Sequence, residues 1–278
     1  QQRRERANAL VACLGRNWDR FEPLVKVTAA NPYNGWIPKG EVDAWWINTA
    51  ASIPWLSNAK GKAAPPGDLR VRTASNEAMH GSDPSLYMHQ AYEQPAHPEV
   101  LAALGVEGNT TVAALLEKLR EIRDAHQTGT LARPATTVGK PLTTQEVADH
   151  AAPFYQALAA EAHGGPLQRV GNMQHNVFRS QFDRGDGLII TNHGWRRTAL
   201  TRSGPPVFGD LLAFVPAVTG AERLWTALGV RAPGVDDAKV VLKKLPRTRP
   251  LSTDERQIML ESLRILAQAT PDRRGQLR

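Results

Sequence analysis

The Asp236-Asp237-Ala238-Lys239 segment holds the residue types that are best suited to catalysis in this 278-residue sequence. It contains the DxK triplet of metal-dependent nucleases, in which carboxylates hold the metal and a lysine steadies the attacking water. That triplet normally ends a strand, whereas here it opens a predicted helix, where acidic residues in the first turn suit the helix dipole. We therefore interpret it as a helix start and predict no catalytic residue and no enzymatic activity, with a nuclease as the least favoured alternative.

A second acidic motif, residues 183–187, fits the DxGxG pattern of Bergerat-fold ATPases. That fold also requires an acidic ExxxNxxD helix before the motif and a glycine-rich lid after it, and the sequence has neither. The P-loop and Rossmann glycine patterns are missing as well. We interpret Asp183 to Gly187 as a turn that opens a strand from Leu188 to Ile190, and we predict no cofactor.

The histidines and the single cysteine indicate neither a metal site nor a nucleophile. None of the eight histidines lies three or four residues from another, so no helix face presents two of them. Cys13 excludes an internal disulfide, and its position near Leu10 and Leu14 predicts a packing role on the apolar face of the first helix. The sequence also lacks a GxSxG elbow, so we predict no metal ligand and no activated serine.

Positive charge is concentrated in the second half of the sequence. Up to His150 there are 16 Lys and Arg against 16 Asp and Glu, and from Ala151 onwards there are 18 against 11. A basic half can attract nucleic acid, anionic lipid or an acidic protein face, or it can be an ordinary solvated surface. The candidate binding residues are Arg196 and Arg197 after the second strand, and Lys239, Lys243, Lys244 and Arg247 on one helix and its exit.

Five of the seven tryptophans lie between Trp18 and Trp55. Trp45 and Trp46 are adjacent, so they must face different sides of a predicted helix, and one of them is expected to be partly exposed. An exposed tryptophan can stack on bases or sugars or anchor a partner, whereas a buried one packs a core. Trp36 and Trp46 are the candidate binding residues of this group.

Most of these residues are positioned by predicted helices. The apolar spacing predicts helices over 3–24, 41–51, 112–126 and 143–162. Pro153 lies inside the last of them and predicts a kink or a later helix start. Glu146 can complete a capping box at the beginning of the same helix. The glycines and prolines of 128–141 make that segment the best linker candidate.

The order of elements occurs twice along the chain. Leu104-Gly105-Val106 recurs as Leu228-Gly229-Val230 at an offset of 124 residues, and each copy is followed by a helical pattern. The PLTTQE sequence at 141–146 recurs as PLSTDE at 250–255, at an offset of 109, and again leads into a helix. A short apolar strand and a glycine turn precede both copies. Stacked repeats share a core and offer a surface, which favours scaffolding over catalysis.

These features predict a helix-rich α+β fold with two tandem copies of a strand-turn, helix, helix unit. We expect an N-terminal helical segment over 1–52, a first repeat unit over 53–163 and a second over 164–278. Hydrophobic residues make up 41% of the chain, and no apolar run reaches the roughly 18 to 20 residues of a membrane helix. We therefore expect a soluble chain without membrane contact, and the single cysteine fits a reducing, cytoplasmic compartment. Since the chain begins with Gln and not Met, we expect a cut fragment or a processed product.

Residues 54–69, PWLSNAKGKAAPPGDL, are similar to the recurrent pWLxxxxGxxxxPxxL box of large sacsin-like bacterial proteins. Segments 192–197, 207–210 and 222–230 are similar to segments further along the same proteins, so the resemblance covers most of the chain. Those proteins carry an N-terminal Bergerat-type ATP-binding domain related to heat-shock chaperones. The resemblance implies a piece from downstream of that domain, and the matching residues are of the packing and turn type.

Repeat and resemblance together predict a non-catalytic module that binds a protein client, or positions neighbouring domains, in a chaperone-type ATPase. The alternative is a nucleic-acid-binding module of a bacterial defence protein that uses the basic C-terminal half. Binding to DNA that weakens steeply with salt would favour the alternative.

Overall fold

A computed structural model describes residues 2–30, 38–92, 97–132, 141–164 and 178–269. It has the predicted helix-rich α+β architecture, in which short strands form two-stranded sheets. The chain divides into two compact units, Gln1–Thr111 and Val112–Arg278. This division falls inside the segment 53–163, which the sequence suggests as the first repeat unit. Among the described residues, no helix combines the length and the apolar character required to cross a bilayer.

The first unit contains short helices and two ribbons. Its helices are α1 (Gln2–Arg16), α2 (Trp18–Phe21), α3 (Trp45–Ser52), α4 (Ala74–His80) and α5 (Pro98–Ala103). Its strands are β1 (Lys26–Ala30), β2 (Pro38–Asp43), β3 (Leu56–Ser57) and β4 (Ala63–Ala64). Antiparallel pairing joins β1 to β2 and β3 to β4.

The first helix ends earlier than the periodicity over 3–24 predicts. Asn17 separates α1 from α2. Its side-chain Nδ2 donates to the Cys13 carbonyl at 2.8 Å, and this side-chain bond competes with the backbone hydrogen bond that would continue the helix. Cys13 is itself exposed, so its predicted packing role is wrong. The buried positions of α1 are Ala7 and Val11, which are four residues apart and share one face.

The helix predicted over 41–51 is also shorter. Residues 41–43 belong to β2, where Val42 pairs with Val27 of β1. Such pairing depends on a partner strand distant in sequence, which local periodicity cannot indicate. The helix α3 begins at Trp45, directly after the buried Ala44.

Two apolar clusters form the core of the first unit. One joins α1 to the β3 region and α5, and its buried members are Ala7, Val11, Leu56, Leu69, Met88, Tyr92, Leu101 and Val106. The other has Ile47, Val100 and Leu104 at its centre, and Trp18, Trp46 and Trp55 pack against it. Tryptophans that the sequence left open between binding and packing therefore contribute to this core.

The second unit also combines helices with two-stranded sheets. Its helices are α6 (Val112–Gln127), α7 (Thr144–Gly164), α8 (Glu222–Ala227), α9 (Val235–Lys244) and α10 (Thr253–Ala269), and residues 178–182 are also helical. Its strands are β5 (Ile189–Thr191), β6 (Gly194–Arg196), β7 (Thr201–Arg202) and β8 (Ala213–Phe214). Pairing is antiparallel between β5 and β6 and parallel between β7 and β8.

The helix α7 runs through Pro153, so the predicted later start is wrong. Proline deprives the carbonyl four residues earlier of its donor, and that residue is Asp149. Both Pro153 and Asp149 are exposed, and water can replace the missing hydrogen bond there.

The Leu-Gly-Val repeat forms the same helix ending in both units. Val106 N donates to Leu101 O and Val230 N donates to Trp225 O, both at 2.9 Å. The middle residues, Gly105 and Gly229, have φ of 82° and 70°, which is the left-handed region that favours glycine. This is the Schellman arrangement, and it closes α5 and α8 alike.

Backbone pairing around one arginine is repeated as well. The segment at Arg70 bridges Tyr87 and Glu107 in parallel, and the segment at Arg202 pairs with Phe214 and Arg231 in the same sense. The residue after each arginine donates its N–H to the carbonyl of the residue that follows the Leu-Gly-Val box. This bond is 2.9 Å from Val71 to Glu107 and 3.0 Å from Ser203 to Arg231. The internal repeat is therefore visible in backbone hydrogen bonds as well as in sequence.

The second repeated motif, PLTTQE and PLSTDE, caps a helix each time. The Thr143 N–H donates to Glu146 at 2.7 Å, and the Ser252 N–H donates to Glu255 at 2.8 Å. The return bonds from each glutamate N–H to the hydroxyl are both 3.2 Å long. The predicted capping box is confirmed at α7, and α10 has its equivalent.

Candidate functional site

Asp237 of the DxK triplet is engaged in structural contacts. Its carboxylate accepts from Arg202 Nε at 2.8 Å, from Arg202 Nη2 at 2.6 Å and from the Gly234 N–H at 2.9 Å. Burial opposes ionisation, but these donors outweigh it and hold the pKa of Asp237 below its usual range. Lys239 lies 3.9 Å from Asp236 on the exposed side of α9. The triplet therefore begins a helix and joins it to β7, as the helix-start interpretation requires.

The DxGxG segment is a turn, as predicted. Asp183 accepts from Thr198 N at 2.7 Å and from Thr198 Oγ1 at 2.9 Å, and Asp186 accepts from Gln127 Nε2 at 3.0 Å. Gly187 has a φ of 96°, and a side chain there would overlap the backbone at Arg196. The motif thus holds the beginning of the β5–β6 ribbon.

The predicted basic residues belong to two different parts of the second unit. Lys239, Lys243 and Lys244 lie on the exposed side of α9, and Arg247 follows that helix. Lys244 donates to the Leu211 carbonyl at 3.3 Å. Among the described residues, no carboxylate lies within ion-pair distance of Lys243 or Arg247, so their charges face water.

The other basic pair lies at the end of the β5–β6 ribbon. Arg196 donates to the Trp195 carbonyl at 3.1 Å, and Arg197 Nε donates to the Gly185 carbonyl at 2.8 Å. Both guanidinium groups thus have backbone acceptors. The structure records no contact between this pair and the lysines of α9 in the part of the chain that it describes.

Of the two tryptophan candidates, Trp36 lies outside the described residues. Trp46 packs against the core, and its Nε1 donates to the Leu24 carbonyl at 2.9 Å. The exposed member of the pair is Trp45, whose relative exposure of 79% is the highest among the exposed large hydrophobic residues of the described chain. The sequence predicted one exposed tryptophan here, and the packing of Trp46 against the core decides that it is Trp45.

The ribbon of β1 and β2, which ends just before Trp45, exposes apolar side chains on one face. Val27 and Val42 are cross-strand partners on β1 and β2, so their side chains share one face, and each is nearly half exposed. Leu24, just before β1, is also exposed. Four exposed apolar side chains thus fall within one short stretch of the first unit. No periodic sequence signal indicated this face, and the helix prediction over 41–51 assigned Val42 to a helix.

The second unit has an apolar cavity of about 540 Å³. Three prolines, Pro205, Pro206 and Pro216, line it together with Trp225, and Glu222 supplies the charged group. Most of the lining lies on loops that flank β7 and β8. No motif in the sequence indicated this cavity, because its lining comes from three separate segments, 203–206, 215–218 and 222–230.

Comparison of this chain with protein-family models, curated protein sequences and solved structures finds no significant match. The similarity to sacsin-like proteins therefore remains a prediction from the sequence.

Proposed function

We propose that this chain is a non-catalytic scaffold, a repeat module that binds a protein client or holds neighbouring domains of a sacsin-like, chaperone-type ATPase. The observation that supports this most is the repeated backbone frame with different side chains. The same hydrogen bonds surround Arg70 and Arg202, yet the residue beside them is Glu107 in one copy and Arg231 in the other. Repeat proteins keep a frame and vary its surface in this way to contact partners.

The exposed apolar residues of the first unit offer a surface for an unfolded or apolar client. Trp45, Leu24, Val27 and Val42 expose large apolar groups that the unit does not use in its own core. Exposed aromatic and branched side chains in one region are typical of protein contacts. The Asp237 carboxylate is occupied by its contacts with Arg202 and Gly234. The proposed scaffold role therefore assigns no metal to the DxK triplet.

The test is suppression of aggregation of a heat-unfolded client protein, followed by light scattering. The wild-type chain should reduce light scattering by the client. The double variant Trp45→Ala, Val42→Thr should suppress aggregation markedly less than the wild type, because it removes exposed apolar groups. Leu200→Ala is the matched control, because Leu200 is 62% exposed in the other unit. If the wild-type chain has no effect, or the control loses as much as the double variant, this function is wrong.

A second candidate is nucleic-acid binding by the basic second half. The exposed face of α9 supports it, since Lys239, Lys243 and Lys244 lie there and Arg247 follows. Fluorescence anisotropy with labelled DNA and RNA across a salt series tests it. Binding near physiological salt that Lys243→Glu with Lys244→Glu abolishes would favour this function. Arg223→Glu with Arg264→Glu changes the net charge by the same amount at exposed positions outside α9, and it should leave such binding nearly intact.

A further inference from the structure

A cavity of about 280 Å³ in the second unit is lined by three arginines, Arg179, Arg202 and Arg231. The remaining lining residues are Thr198, Ala199, Thr201 and Gly229. Ala199, Gly229 and Arg231 are exposed, so the cavity is accessible from solvent. The arginines come from three separate segments, and the fold brings their positive charges to one place.

Arg202 is held rigidly and forms the inner part of this arginine site. Its Nε and Nη2 donate to Asp237, and its Nη1 donates to the carbonyls of Ala199 and Thr201 at 3.0 and 2.9 Å. Its charge is therefore paired, and it contributes shape and orientation. A fixed neighbour of this kind preorganises the lining before any ligand arrives.

Arg179 and Arg231 have donors available for a ligand. Arg179 uses its Nε for Thr198 Oγ1 at 2.8 Å, and no partner for its Nη groups is recorded among the described residues. Its Nε also forms an ion pair with Asp183 at 3.8 Å, and this contact does not engage the Nη groups. The Arg231 side chain forms no hydrogen bond and no ion pair within the described parts of the chain, although its charge is near enough to Asp237 to help lower the pKa of that carboxyl. Two guanidinium groups thus border the cavity with unused N–H donors.

The first unit shows that this charge is not a requirement of the fold. The position equivalent to Arg231 is Glu107, which forms an ion pair of 2.6 Å with Arg70, the equivalent of Arg202. A carboxylate at this position therefore neutralises the arginine in one copy. In the other copy a further arginine replaces the carboxylate, and Asp237 pairs with Arg202 instead. The charge of Arg231 is then left for another anion.

Gly229 keeps the entrance of the cavity open. It has a φ of 70°, and a β-carbon at this position would lie 3.5 Å from Arg179 Nη1. A longer side chain would therefore occupy the space beside the available guanidinium. The glycine that ends α8 thus also leaves room for a ligand atom.

We propose that this cavity binds the phosphate group of a small phosphate ester or free phosphate. Guanidinium groups match the oxygens of a phosphate in charge and in the geometry of paired donors. The oxygens of a dianionic phosphate can contact Arg179 and Arg231 together, whereas the two oxygens of a monoanionic carboxylate satisfy fewer of these donors. The residues of this site differ from those proposed for clients or nucleic acid, so phosphate binding is independent of the scaffold function.

The test is calorimetric titration of the full chain with inorganic phosphate, at an ionic strength kept constant with sodium chloride. Arg231→Gln and Arg179→Gln should each weaken binding by about tenfold or more, as expected for loss of hydrogen bonds to a charged group. Arg231→Glu should abolish binding, because it replaces one of the two available guanidinium groups by a carboxylate that repels phosphate. Arg223→Gln, an exposed arginine outside the cavity, should bind phosphate like the wild type.

Circular dichroism and melting temperatures of the variants separate loss of binding from loss of folding. Sodium acetate and glycerol 3-phosphate, titrated in the same way, identify the ligand. Tighter binding of glycerol 3-phosphate than of phosphate would assign an ester, and the reverse would assign free phosphate. Absence of phosphate binding, equal binding of acetate, or unchanged binding by folded Arg231→Gln and Arg179→Gln would overturn the proposal.

Discussion

Arg202 and Asp237 form a two-bonded ion pair that joins β7 to the first turn of α9. The two N···O distances are 2.8 and 2.6 Å, and the side chains are only 16% and 10% exposed. Asp237 also accepts from the Gly234 N–H, so that one carboxylate both caps a helix and holds a strand. The residue that resembled a catalytic carboxylate in the sequence therefore has a structural role here.

Asp237→Ala should destabilise the second unit by about 3–5 kcal/mol, because it leaves the largely buried Arg202 without its partner. Urea unfolding followed by circular dichroism measures this change. Asp236→Ala is the control, since Asp236 is almost fully exposed, and it should change stability by less than about 0.5 kcal/mol. Equal effects of the two substitutions would contradict the structural role of Asp237.

The capping glutamate of α10 should give the protein a defined sensitivity to acid. Hydrogen bonds from Arg249 and from the Ser252 N–H lower the pKa of Glu255 to about 2. Because the pKa is lower in the folded chain than the usual value of about 4.3 for Glu, its stabilising effect is complete above that value. This effect is lost as the pH falls towards 2.

Glu255→Gln should therefore reduce the fall in melting temperature between pH 5 and about pH 2, because the variant has no carboxylate to protonate. Thermal unfolding of wild type and variant at closely spaced pH values measures the difference. Parallel pH profiles for wild type and Glu255→Gln would show that the cap is not formed.

Gly187→Ala should destabilise the β5–β6 ribbon strongly. A β-carbon at this position would overlap the Arg196 backbone, and the φ of 96° disfavours any side chain. We expect a loss of at least about 2 kcal/mol, since both the strain and the overlap must be relieved. Gly108→Ala is the matched control, because open space surrounds Gly108 and its φ is not positive. Comparable unfolding midpoints for the two variants would contradict this arrangement.

Cys13 should react readily with a thiol reagent in the native protein. It is exposed on α1, contrary to the packing role that its sequence position suggests. Native labelling by a chromogenic disulfide reagent, compared with labelling in denaturant, measures its accessibility. Ser substitution at Cys13 should leave the melting temperature nearly unchanged. If labelling requires denaturant, the exposed position of Cys13 on α1 is wrong.

Some features could be predicted from the sequence because they depend on neighbouring residues. The apolar spacing of Leu115, Leu116, Leu119 and Ile122 predicts α6, and all four are buried. The capping box at Glu146 and the glycine in each Leu-Gly-Val box also involve residues within one or two helical turns. Local hydrogen bonds and periodicity carry this information directly in the order of residues.

Other features arise only from the tertiary structure, because distant segments decide them. Residues 41–43 become a strand through pairing with β1, and Trp45 rather than Trp46 is exposed because the core accepts Trp46. The arginine cavity likewise combines Arg179, Arg202 and Arg231 from segments that have no common motif. The sequence by itself determined α6, the capping box of α7 and the repeated glycine turn. The tertiary structure decided which charges meet, since strand pairing and packing join residues far apart in the chain.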